Sequence, residues 1–281
     1  MALEIDLLTS ATLKDLRERW WSPSFSDFLR DVLQLRPGSR VLDVGCGSGT
    51  AELGLGLQRL SQVRFYAIDL EPARAREAAT ETASRNLDVG VAAGDASRLP
   101  FRSGAFDSTF CVAVLQHVPD LAAALQEFAR VTRPGGRVVA VEPDNGARYW
   151  YSSCEAGMQA FAIGSRFHAA VAEALGTHAE PGVGPRISAA FVRQGIAPVA
   201  VRLFPVSVSR LGPPAAEVWE ARRGTISHVI EHVPSAALRR LGADYLAAVE
   251  RYAQEAAAAG PSFVEIQNTL LIATVGQRME A

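Results

Sequence analysis

The feature that most constrains this chain is a run of strand-like and helix-like segments in strict alternation, opened by a glycine-rich loop. Val41–Val44 is a short apolar run, and Gly45, Gly47 and Gly49 follow it in VLDVGCGSGT (41–50). Ala51–Leu60 reads as a helix, Val63–Ile68 as a second strand ended by Asp69, and Ala73–Arg85 as an alanine-rich helix. Val89–Ala93 reads as a third strand, Ser108–Val114 as a fourth and Asp120–Val131 as the helix after it. Gly136–Val141 is a fifth strand, set off by the turn Arg133-Pro134-Gly135. Strands that alternate with helices form a mostly parallel sheet with helices on both faces. The expected fold class is α/β, doubly wound.

The flanks follow other periods. Leu13, Leu16, Trp20, Phe25, Phe28, Leu29, Val32 and Leu33 recur at three- and four-residue spacing, so 10–35 reads as helical, broken at Pro23 and ended by Pro37-Gly38. Beyond residue 142, 147–180 and 214–259 read as helical, Val199–Val208 as a sixth strand and 263–275 as a last one. The expected organisation is an N-terminal helical lid over 1–37 and one domain over 38–281, with helical insertions at about 147–180 and 214–259.

Composition excludes several classes. The 281 residues are 48% apolar and 21% charged, with a formal net charge of −2. A disordered chain would need low hydrophobicity and high charge, and a nucleic-acid binder a basic surface. Lys14 is the only lysine among 28 basic residues, a bias that suggests high-GC coding. No apolar run reaches the roughly 18 residues of a membrane span. MALEIDLLTSATLKDLRER carries acidic residues and no hydrophobic leader core. Cys46, Cys111 and Cys154 are odd in number and unpatterned, as expected for buried thiols. A cytoplasmic protein with neither nucleic-acid nor membrane partner is expected; the oligomeric state is not legible.

The glycine loop carries the first functional signal. Its glycines permit a tight strand-to-helix turn and close approach of backbone N–H groups to a ligand. The loop is G-x-G-x-G with Thr50 next. It therefore departs from the dinucleotide fingerprint G-x-G-x-x-G/A, and it lacks the lysine of a P-loop. Downstream carboxylates raise the specificity. Asp69 ends the second strand about 20 residues on, where a carboxylate can accept both hydroxyls of a ribose. Asp95 follows the third strand in GDASRLPF (94–101), where it can accept from an adenine amino group. A lone Asp at a strand end is also a common turn residue. Three such features at successive strand ends of one sheet point to a nucleoside ligand.

These blocks, with AIDLEP (67–72), FDSTFCVAVLQHVPD (106–120) and RVTRPGGRVVAVEP (130–143), resemble a class I S-adenosylmethionine-dependent methyltransferase of the small-molecule type. The resemblance is close over about 38–145 and holds elsewhere only in element order. It implies a seven-stranded sheet with the last strand antiparallel, and S-adenosylmethionine as cofactor. It also implies that Gly45, Gly47 and Gly49 wrap the methionine moiety, that Asp43 helps to position it, and that Asp69 holds the ribose. Leu70 would lie against the adenine, Asp95 and Ala96 at its edge, and Cys111 and Gln116 on the sulfonium side.

Methyl transfer is an in-line displacement with an excellent leaving group, so the protein chiefly supplies alignment and a dry cavity. A base is needed only where the acceptor loses a proton. His117, just after the fourth strand, is the candidate base, against a plain role as pocket lining or helix cap. Tyr151 is a second catalytic candidate. Asn145 and Tyr149 stand in the polar and aromatic segment after the fifth strand and are candidate acceptor contacts. Tyr149 and Trp150 could equally anchor the inserted helices. Of Trp20 and Trp21, adjacent on a helix, at most one should face the pocket, and Trp21 is assigned there. Trp219, Arg222 and His228 are acceptor-side candidates in the second insertion, Arg222 as partner of an acceptor carboxylate. His228-Val229-Ile230-Glu231-His232 matches H-x-x-E-H, but with no third ligand apparent and the wrong fold for a zinc protease no metal is assigned. The expected activity is methyl transfer from S-adenosylmethionine to an O, N or C atom of a small molecule, in specialised biosynthesis. The alternative is non-methylating use of the same cofactor, such as a cyclisation that releases methylthioadenosine.

Overall fold

A computed structural model of the chain describes residues 18–57, 62–174 and 182–280. The predicted helical residues 10–17, the end of the predicted helix 51–60 and the end of the first insertion lie outside them, as does the Asn145 side chain. Among these residues seven strands form one sheet in the order β3-β2-β1-β4-β5-β7-β6. They are β1 (Arg40–Val44), β2 (Arg64–Asp69), β3 (Val89–Ala93), β4 (Phe106–Val112), β5 (Thr132–Ser152), β6 (Ile196–Leu211) and β7 (Val264–Arg278). β1 pairs in parallel with β2 and β4, β2 with β3, and β4 with β5. The chain thus winds one way from β1 through β2 to β3, then returns to the other side of β1 at β4. Crossovers that diverge from a central strand leave a crevice at its carboxyl end, and that is where such sheets bind ligands.

The helices are α1 (Pro23–Val32), α2 (Thr50–Gly54), α3 (Pro72–Ser84), α4 (Leu121–Val131), α5 (Glu155–Ala174), α6 (Ile187–Arg193), α7 (Ala216–His232) and α8 (Ala236–Ala259). None is long and apolar enough to cross a membrane. The chain divides into two compact units. One holds Lys14–Gly146, Glu180–Phe204 and Leu270–Ala281; the other is built from Ala147–Ala179 and Pro205–Thr269.

In the sheet unit, α1 starts at the N-cap Ser22, whose Oγ accepts from the Phe25 N–H, with Pro23 in its first turn. The helix buries Phe25 and Leu29 completely, and Phe25 meets Phe204 edge-on at 5.2 Å. Burial of side chains this size stabilises by about 1.5–3 kcal/mol each. α1 is therefore part of the core of this unit, although the sequence assigned it to a lid. Beneath the sheet, Leu42, Val44, Ile68, Phe106, Leu125, Phe128 and Val138 form the main cluster. In the other unit α8 packs on α5 and α7, with Trp219, Tyr252 and Phe263 at the centre.

Several boundaries differ from the sequence reading, each for a local reason. α2 stops at Gly54, before Gly56 takes φ +65°. β4 ends at Val112 because Ala113 adopts φ +58° and turns the chain. Arg133-Pro134-Gly135 is a bulge, not a strand boundary: pairing jumps from Phe106↔Thr132 to Ser108↔Arg137 within β5. β5 then runs to Ser152, so the first six residues of the predicted insertion 147–180 are strand. Tyr149, Trp150 and Tyr151 are aromatic residues that favour a pleated surface. The stretch 214–259 is two helices, parted at Val233–Ser235, with the Ser235 Oγ accepting from the Leu238 N–H to cap α8.

Candidate active site

The glycine loop follows β1, at the point where the sheet order reverses. The Gly45 and Cys46 N–H groups both donate to the Ile68 carbonyl (2.7 and 2.9 Å), which fastens the loop to the end of β2. Gly45, Gly47 and Gly49 all have positive φ. At Gly45 a Cβ would stand 2.4 Å from Val114 Cγ2, so glycine is required both by backbone angle and by the close approach of the β4 turn. Asp69 completes the frame: its Oδ2 accepts from the Gly47 N–H (2.8 Å) and its Oδ1 from the Glu71 N–H (2.9 Å). Each oxygen keeps a further lone pair.

The other cofactor-side candidates fall on the same edge. Leu70 is 67% exposed, a large apolar side chain presented to solvent beside Asp69. Asp95 is exposed, and its Oδ1 accepts from the Ser97 N–H, which holds the turn after β3. Ala96 is half-buried next to it. Cys111 is a correction: it is fully buried in the main core cluster, with Sγ 3.9 Å from Glu142 Oε1, and burial pushes its thiol pKa up. It supports the site from beneath and presents no atom to a ligand. Gln116 is also buried.

Glu142, which the sequence reading quoted but did not assign, organises the turn after β4. Its carboxylate accepts from the N–H groups of Val114 (2.9 Å), Leu115 (2.8 Å) and Gln116 (3.4 Å). Burial raises its pKa to about 7 against the opposing pull of those three donors. The turn carries His117 on a short 3-10 helix, Leu115–His117, so the candidate base is held by a buried carboxylate two elements away. A lone glutamate ending an otherwise apolar strand, VVAVE, was the available signal.

Beside the loop lies a narrow, partly open cleft, lined by Trp20, Trp21, Asp43, Gly45, Cys46, Thr50, Ala51 and Val112. Both tryptophans line it, against the expectation of one. They sit on a turn ahead of α1, not on a continuous helix, so their directions are not set at helical spacing. Trp21 also covers Gly54, where a Cβ would stand 2.1 Å from its ring. Asp43 reaches the cleft from β1, between Ala67 of β2 and Phe110 of β4. Asp43 and Glu52 of α2 are each 1% exposed. Asp43 Oδ2 and both Glu52 oxygens have no hydrogen-bond donor among the described residues. The two carboxyls face each other, and burial raises both pKa values. Cys46 is neutral beside them, its thiol pKa raised by burial and by the carboxylates.

Five candidates, Tyr149, Tyr151, Trp219, Arg222 and His228, belong to the other unit. Tyr149 (54% exposed) and Tyr151 (40% exposed) share one face of β5, while Trp150 stacks on Phe161 at 5.0 Å. Trp219 and Arg222 are corrections. Trp219 is buried in the core cluster, edge-on to Tyr252. Arg222 lies 4.8 Å over the Trp219 ring and donates from Nη2 to both oxygens of the buried Glu265 (2.6 and 2.8 Å). Tyr252 Oη donates to the same carboxylate at 2.7 Å. The guanidinium is therefore committed to an internal ion pair, because Glu265 could not be buried without it. His228 is exposed on α7, and ligand atoms of His228, Glu231 and His232 lie within 4.8 Å of one another.

Comparison with known proteins agrees with this geometry. A family model described as a methyltransferase domain matches residues 42–140, the segment from β1 into β5. Over that segment, about a third of the chain, the protein is similar to a methyltransferase domain. Demethylmenaquinone methyltransferase of Beutenbergia cavernae is 39% identical over 112 residues, covering 40% of this chain and 44% of that protein. The 27-O-demethylrifamycin SV methyltransferase of Amycolatopsis mediterranei is 32% identical over 131 residues, 46% of each. The chain spans about a third to a half of the first curated relatives it matches. Among solved structures, a geranyl diphosphate methyltransferase in complex with SAM superposes with a TM-score of 0.51 at 16% identity, covering 91% of this chain and 85% of the other. At that identity the likeness is one of fold.

Proposed function

We propose that this protein transfers a methyl group from S-adenosylmethionine to a small-molecule acceptor. The observation that carries the reading is the glycine loop held against Asp69 at the sheet's reversal point, with Asp43 at its cleft and Asp95 on the same edge. Three strand ends then offer backbone N–H groups and carboxylates to one extended nucleoside ligand. Gly45, Gly47 and Gly49 wrap its methionine end and Asp43 positions it. Asp69 accepts from the ribose hydroxyls through its remaining lone pairs. Leu70 covers the adenine, and Asp95 and Ala96 meet its edge.

When bound, the cofactor supplies a methyl group already activated on a sulfonium. The chain's own part is alignment and exclusion of water. His117 would take the acceptor's proton where one is lost, from a turn that Glu142 holds rigid. In the other unit, Tyr149 and Tyr151 present exposed aromatic faces and hydroxyls. The small-molecule class is favoured by the names of the sequence relatives and by a formal net charge of −2, which lacks the basic excess of most nucleic-acid binders.

Calorimetry with S-adenosylhomocysteine tests the cofactor assignment. The native protein should bind it, and Asp69→Ala should lose about 1–3 kcal/mol of binding, the range for a deleted charged hydrogen-bond partner. Equal affinities would remove Asp69 from the site. Incubation with S-adenosylmethionine and a panel of quinol, phenol and amine acceptors then tests the reaction. Acceptor-dependent S-adenosylhomocysteine is expected; methylthioadenosine formed without acceptor would favour the cyclising alternative.

A further inference from the structure

The cleft beside the glycine loop has an unusual chemical make-up. Its lining contains two indole faces and a carboxylate and, among the described residues, neither lysine nor arginine. Indole faces and carboxylates both attract cations. Glu52 adds a second buried carboxyl against Asp43, and three oxygens of the pair have no donor among the described residues.

Two ionised carboxylates are acceptors only and cannot bond to one another. Buried and face to face, they repel as well. The arrangement is stable only when one of them carries a proton and donates it to the other. Glu52 has a plain alternative role, since an acidic residue in the first turn of a helix can reach back to the N-cap amide. That role is vacant: the Gly49 N–H donates to the Cys46 carbonyl, and the Glu52 oxygens lie at no N-cap donor.

We propose that Asp43 and Glu52 hold one proton between them in the cofactor-free protein and release it to solvent when the ammonium of the cofactor's methionine end docks beside them. Glu52 is then a positioning residue that makes cofactor binding proton-linked. The inference rests on the cofactor reading above. The direction follows from charge: a cation at the cleft favours the doubly ionised pair, so binding drives the proton off and strengthens as pH rises. Among the described residues, few other groups act on the pair by charge. Asp69, at the end of β2, adds negative potential at Asp43. The thiols of Cys46 on the loop and Cys111 on β4 are both raised, so they stay neutral. The Glu52 backbone N–H partly offsets the burial of its own carboxylate.

The test is calorimetric titration of the full chain with S-adenosylhomocysteine between about pH 5.5 and 7.5, where the ligand's ammonium keeps its proton. Buffers of differing ionisation enthalpy count the protons exchanged. Native protein should release up to about one proton per ligand, and its affinity should rise with pH by up to about tenfold per unit. In Glu52→Gln the amide donates to Asp43 in place of the shared proton. Release should fall towards zero and the pH slope should flatten, with the circular dichroism spectrum unchanged. Should that variant fail to fold, the proton count of the native protein decides alone. Tight binding with no proton release and a flat pH profile would overturn the pair while leaving the cofactor reading intact. No binding at any pH would overturn both.

Discussion

At the scale of single residues, the site is set by what cannot be accommodated. Gly45 is the sharpest case, because its φ of +78° and the Val114 methyl 2.4 Å from a hypothetical Cβ act together. Gly45→Ala should cost about 1–2 kcal/mol from the backbone angle alone, before any displacement of Val114. The loop and the turn carrying His117 would then separate. The expected outcome is a lower melting temperature with a larger loss of S-adenosylhomocysteine affinity than of stability. Affinity that survives intact would mean that the loop does not touch the ligand. Arg222 teaches the opposite lesson. Its position on a helical insertion suggests an acceptor contact, yet a buried Glu265 forty-three residues away claims it. Nothing local in the sequence couples those two residues.

At the scale of elements, boundaries were legible where apolar periodicity coincided with a chemical stop. β3 spans Val89–Ala93 as expected, bounded by Asp88 on one side and Gly94 on the other. α4 begins one residue past Asp120, whose Oδ1 accepts from the Ala123 N–H at 3.0 Å. Asp120→Ala should lower stability by about 1 kcal/mol, the usual worth of such a cap, and leave cofactor affinity unchanged. A chemical denaturation curve measures it, and a change within error would show that the cap is not used. Where the stop lay in tertiary structure, the sequence misled. β5 outruns its apolar core by eleven residues, from Val141 to Ser152. The last of these are aromatic residues whose pattern fits a helix as readily as a strand.

At the scale of the whole molecule, buried carboxylates should shape the pH dependence of stability. Burial raises the pKa values of Asp43, Glu52 and Glu142, the last to about 7. Each binds its proton more tightly folded than unfolded, so its stabilising contribution is complete below the ordinary carboxylate range and is lost as pH rises through the raised value. Glu127 works in the other direction. The Arg130 side chain, its strongest influence, lowers its pKa, so its contribution is lost as pH falls through the lowered value. In Asp107 burial raises the pKa, but the Arg40 backbone N–H and the Arg133 side chain outweigh it and the net shift is down. Calorimetric melting temperatures should therefore peak at mildly acidic pH and decline from about pH 5 to 8. A rising profile over that window would place those three carboxylates in solvent. The sequence by itself determined the strand–helix alternation, the glycine loop and the spacing to Asp69 and Asp95, because these follow from periodicity and backbone angles that neighbouring residues dictate. Tertiary structure alone decided that Glu52 meets Asp43, that Glu142 caps the His117 turn, that both tryptophans line the cleft and that Arg222 pairs with Glu265. Each of these turns on a buried charge or ring finding its partner across the fold, and burial is a property of the packed chain that no local spacing encodes.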